Sequence, residues 1–156
     1  MSFYKKSMSI VQLLHVFVEE LMRRVPVMGY AGDAIDVSGQ TTEVKRVVFV
    51  APCVCCVRSA DLISSLGLAA DDTNYLSITL KNGADAMAAA ADTTKATGGA
   101  AIVANTRYPL TIDQKNTLAA GEEVELSVIP ATSSVANDLA HVQVALGISY
   151  DEVDAL

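Results

Sequence analysis

Hydrophobic positions along the chain change period near residue 43. Over residues 7–24, a stretch without Pro or Gly, Ile10, Leu14, Phe17 and Leu21 recur at helical spacing. Val11, Val18 and Met22 mark a neighbouring face of the same helix. The spacing predicts a helix whose wide apolar stripe asks for burial on two sides. The β-branched content of the segment leaves a strand open as the alternative. Pro26, Gly29 and Gly32 then punctuate the chain and mark a linker at about 25–42. Residues 1–42 therefore read as an N-terminal arm and linker.

From residue 43 to 156 the period shifts toward two, as in half-buried strands. Val44 to Val50 is a dense Val/Phe run, and Pro52 separates it from a second apolar stretch, Cys53 to Ile63. Tyr75 to Leu80 alternates and runs into Asn82-Gly83, a strong turn dipeptide. Ala101 to Tyr108 offers a further short strand closed by Pro109. Val124, Leu126 and Val128 alternate with Glu125 and Ser127, which predicts one buried and one wet face. Val142, Val144, Leu146, Ile148 and Tyr150 repeat the pattern. Short strands separated by turn signals predict a mainly β domain, an antiparallel β-sandwich or jelly-roll-like body. Residues 84–97 are rich in Ala and could form a short helix by propensity, but the Thr93-Thr94 and Gly98-Gly99 pairs favour an exposed excursion between strands.

Composition narrows the function classes. Hydrophobic residues are 51% of the 156, mostly Ala, Val and Leu, and Trp is absent. A core of small aliphatics suits thin packed sheets better than a pocket around a large cofactor. The net charge of −7 is unevenly spread. Residues 1–30 carry Lys5, Lys6, Arg23 and Arg24 against Glu19 and Glu20, whereas the remaining residues hold seven basic and sixteen acidic groups. An acidic body lacks the clustered Lys and Arg that phosphate backbones or anionic membranes need. No nucleic-acid or membrane partner is expected. The apolar run from Met8 to Val18 is short for a bilayer span and is followed by Glu19-Glu20, with no small-residue cleavage site. Neither a signal peptide nor a transmembrane segment is expected.

Candidate chemistry is sparse. Cys53, Cys55 and Cys56 are the only cysteines and form one Cys-x-x-Cys. On a strand Cys53 and Cys55 share a face that Cys56 does not, which spoils a common zinc ligand set. Small buried hydrophobes are the better reading, in a reducing compartment. His15 and His141 lie in no ligand-spaced motif, and packing roles are preferred for both. Asp71-Asp72, Glu122-Glu123-Glu125 and Asp151-Glu152-Asp154 miss the spacing of a calcium loop and read as solvated loop charge. Gly98-Gly99 lacks the framing of a phosphate loop. No enzyme activity, cofactor or metal is expected.

The segment Val47-Val48-Phe49-Val50-Ala51-Pro52-Cys53-Val54-Cys55-Cys56-Val57-Arg58-Ser59-Ala60 resembles an opening strand pair of small structural proteins of tailed-phage heads. There a hydrophobic strand meets a Pro-Cys or Pro-Tyr step before a V-x-S-A strand. Leu76-Ser77-Ile78-Thr79-Leu80-Lys81-Asn82-Gly83 is similar to a second signature of that family. Leu118-Ala119-Ala120-Gly121-Glu122-Glu123-Val124-Glu125-Leu126, with its Leu-x-x-Gly-Asp/Glu turn before a strand, is similar to a third. The three occur in family order and cover about residues 44–150. The resemblance implies a capsid decoration (cement) protein: a structural, non-enzymatic virion protein on the capsid exterior. Such proteins are often homotrimers, and they clamp neighbouring major capsid protein subunits. A head-fibre or tail-associated binding module, with Tyr30, Tyr75 and Tyr108 as a sugar platform, is the alternative. The arm departs from the family pattern, and Ile10, Leu13, Leu14, Phe17, Val18 and Leu21 are its candidate protein-interaction residues.

Overall fold

The computed structural model describes residues 41–131 and 141–150, together with the backbone of Val27–Met28. Ten strands form two sheets, and no helix occurs among the described residues. In the first sheet β1 (Val27–Met28) lies beside β10 (Gln143–Ser149), then β3 (Cys55–Ile63), then β7 (Arg107–Leu110). β8 (Thr117–Leu118) pairs with β3 beyond the end of β7. In the second sheet β2 (Val44–Val50) lies beside β9 (Glu123–Pro130), then β4 (Leu76–Asn82). Two short strands, β5 (Asp85–Ala86) and β6 (Asp92–Thr93), share the far edge of β4. Every pairing is antiparallel.

The predicted sandwich follows from the alternation. Leu76, Ile78 and Leu80 of β4 and Val124, Leu126 and Val128 of β9 are buried on one inner face. Leu62 of β3 and Val144, Leu146 and Ile148 of β10 supply the other, and all join one hydrophobic cluster. Each such aliphatic side chain contributes roughly 1.5–3 kcal/mol on burial. Asn82-Gly83 turns β4 into β5, with Gly83 at φ +60°, a conformation that suits glycine.

Several expectations need correction. Residues 84–97 are not an exposed excursion. Their two short strands give the edge of β4 hydrogen-bond partners, and Met87 between them is fully buried in the core. The Met87 N–H donates to the Leu80 carbonyl, and its own carbonyl accepts from Asp113 and Gln114. Thr94 is also buried, its hydroxyl oxygen accepting the Leu76 N–H at 2.8 Å. The strand expected within Ala101–Tyr108 falls instead on Arg107–Leu110 and includes Pro109. An edge strand tolerates the missing N–H. Ser127, expected on a wet face, is 1% exposed because Glu43 covers it, accepting its hydroxyl at 2.6 Å. Within the linker, Val27–Met28 extends the first sheet by pairing with Ile148 and Gly147.

Two bulges re-aim side chains. In β2, Val47 faces Glu125 and Phe49 faces Val124, so Val48 is the extra residue and turns into the core. A second irregularity, opposite Gly147–Ile148, sets Arg58 outside the β3 register, and its Nε donates to the Ser149 hydroxyl at 2.8 Å.

Candidate functional site

The two flanks of the sandwich differ. On one, β6 meets β7: the Tyr108 hydroxyl donates to the Thr93 carbonyl at 3.0 Å. There Asp92 also accepts the N–H and hydroxyl of Thr111, both at 2.7 Å. These bonds tie the sheets together at that side. A cleft of about 500 Å³ lies beside them, lined by Asp92, Gly98, Gly99, Arg107 and Tyr108 among others. Its polar groups are already engaged, since Arg107 pairs with Asp61 at 3.5 Å and Asp92 and Tyr108 hold the flank. Burial, with the Asp92 carboxylate nearby, pushes the Tyr108 phenol up.

With β6 beside β7, the strand orders put β1 and β2 together on the opposite flank. Among the described residues β2 has β9 as its sheet neighbour and an open second edge. Val47 is 49% and Val50 51% exposed, and Phe49 is only partly buried against the core. Val47 to Val50 and Pro52 line an open groove of about 290 Å³. Val54, just beyond, is also exposed. The first half of the strand is charged. Arg46 faces Leu126, a core residue, so it shares the inner face of the sheet yet stays exposed at the mouth of this flank. Its Nη1 donates to the Lys45 carbonyl at 2.8 Å. Inward-pointing charge on an edge strand discourages indiscriminate strand addition.

Beside this edge Glu43 gathers partners. It accepts from Ser127, from Lys81 at 3.0 Å, and lies 3.7 Å from Lys45, which also reaches Glu125 at 3.9 Å. The Ser127 hydrogen bond first, and the Lys81 ammonium next, hold the Glu43 carboxyl below its usual range.

The other sequence candidates separate into structural roles. Cys53 is exposed in the loop before β3, not on the strand as expected, while Cys55 and Cys56 are buried. Cys55 faces inward opposite Leu118, and Cys56 lies on the outer face, its Sγ 3.4 Å from the Thr117 hydroxyl. Burial, and secondly the neighbouring thiols, push the Cys55 thiol up, the opposite of what a nucleophile needs. Among the described residues no group of three or more His, Cys, Asp or Glu side chains is placed to hold a metal ion. His141 is exposed at φ +52°, one residue before the buried Val142. Asp71 accepts the N–H groups of Thr73 and Asn74, which hold its carboxyl below the usual range. Asp72 accepts from Thr97, and Glu122 from Ala119 and Asn82. This acidic charge ties loops. Tyr108 is buried and Tyr75 carries the Lys95 ammonium 5.1 Å above its ring, so neither offers a bare platform for sugars. Ile10, Leu13, Leu14, Phe17, Val18, Leu21, His15, Tyr30 and Asp151-Glu152-Asp154 lie outside the described residues.

The open β2 edge is the feature that sequence reasoning missed. Val44–Val50 reads as a dense apolar run, which suggests burial on both faces. The available signal was Lys45-Arg46 inside that run, since paired charges are rare in a central strand. In comparisons with known proteins, no family model, curated protein or solved structure matches the chain.

Proposed function

We propose that this chain is a structural virion protein that binds the outer capsid surface and reinforces contacts between major capsid protein subunits. The observation that carries the reading is a division of labour. The acidic side chains named above are spent on tying loops and flanks, while apolar groups stand exposed at one edge, and the arm is apolar in sequence. A body that is acidic and chemically quiet, joined to an arm of opposite charge balance, suits an adhesive module better than a catalyst. The three segments of family resemblance coincide with β2 to β3, with β4 and its turn, and with β8 to β9, which makes them successive parts of one scaffold. In a homotrimer, weak contacts multiply by engaging several capsid sites at once.

Deletion of residues 1–30 tests this function. Capsids lacking the protein should take up the full chain, and the truncated chain should lose most of that binding in a sedimentation assay. Unchanged decoration by the truncated, folded body overturns the role of the arm. Failure of the full chain to sediment with capsids overturns the function.

A further inference from the structure

Among the described residues β2 has an open edge that combines two properties along one strand: Lys45 and Arg46 at its start, and exposed Val47 and Val50 with half-buried Phe49 at its end. A partner strand that suits it runs antiparallel, with β-branched and aromatic residues first and acidic residues last. The arm contains that order, Val16-Phe17-Val18-Glu19-Glu20. We propose that the β2 edge is the docking site for this arm segment of a second copy of the chain, by antiparallel strand addition. In the matching register Val18 lies opposite Val47, while Glu19 and Glu20 come beside Arg46 and Lys45.

The topology favours a second copy over the chain's own arm. Four residues, 51–54, join the end of β2 to the start of β3 in the other sheet, so β3 runs opposite to β2. β10 is antiparallel to β3, and β1 to β10, so β1 also runs opposite to β2. A strand antiparallel to β2 therefore runs in the same direction as β1. The link from Glu20 back to Val27 must climb the length of β2, about 17 Å, and cross about 10 Å between the sheets, which takes nearly the full extension of so short a connection. Only residues 21–26, without a glycine, separate Glu20 from Val27. Arm exchange between copies also links chains head to tail, and a ring closes if the rotation allows it.

The test uses the free, full-length protein, so it is independent of capsid binding. In a Cys53→Ser background, Val18→Cys combined with Val47→Cys should give dimers and higher multimers under mild oxidation, reversed by reductant. Chains carrying Val18→Cys alone or Val47→Cys alone should give far fewer. In sedimentation, Arg46→Glu should weaken self-association on the order of tenfold, and Glu19→Arg in the same chain should restore it. A cross-link formed within one chain, no cross-link at all, or a wild-type chain that stays monomeric at every accessible concentration overturns the proposal. Thermal melts of each variant separate loss of docking from loss of fold.

Discussion

At the scale of single residues, the cysteines and Glu43 make the sharpest predictions. Cys55 sits fully buried opposite Leu118, so it behaves as a small hydrophobe. Cys55→Ser should cost about 1–3 kcal/mol by leaving a buried hydroxyl poorly paired, read by urea denaturation. Cys55→Ala should cost less than the serine change. A thiol reagent should modify Cys53 quickly in the native protein and reach Cys55 only on unfolding. Fast native labelling of Cys55 would show that its burial is wrong. For Glu43 the folded carboxyl titrates below its unfolded value, so the folded state binds fewer protons than the unfolded chain as pH falls. The contribution is complete above the ordinary carboxylate range and is lost as pH drops through that range toward the folded value. Glu43→Gln should flatten the acid limb of stability against pH, leaving the share that Asp71 supplies in the same direction.

At the scale of elements, the segment from β5 to β6 carries the main lesson. Met87→Ala should destabilise by about 2–5 kcal/mol, as for other buried large-to-small changes, which a surface loop would not produce. Gly99→Ala should unfold or displace this segment, because an added Cβ would collide with the Thr93 carbonyl and crowd Lys95. Chemical denaturation measures both changes. The sequence made β4, β9 and β10 legible because each alternates over seven or eight residues, long enough for a period of two to stand out. β5, β6 and β8 are two residues each and have no period. They exist because β3 and β4 hold out unpaired backbone groups, which is a property of the assembled sheets. Burial of Ser127 was equally illegible, since it depends on Glu43, just before β2, and on Lys81 of β4.

At the scale of the whole molecule, the two flanks differ in kind. One is closed by Tyr108, Asp92 and Thr111, and the other presents a strand edge with apolar residues. The fold class was readable from alternation alone. The candidate site was not, because a strand becomes an edge through sheet order, and no local pattern in Val44–Val50 states which neighbours it will lack. The pairing of β1 with β10 has a further consequence, in time. Among the described residues, β10 is the only partner of β1, and about 115 residues separate the two along the chain. The sheet of β2, β9 and β4 can be assembled once residue 130 has been made, but the mooring of the arm waits for β10. Such distant pairing forms late and slowly. During synthesis the apolar arm therefore leaves the ribosome long before the strand that pairs with β1 has been made.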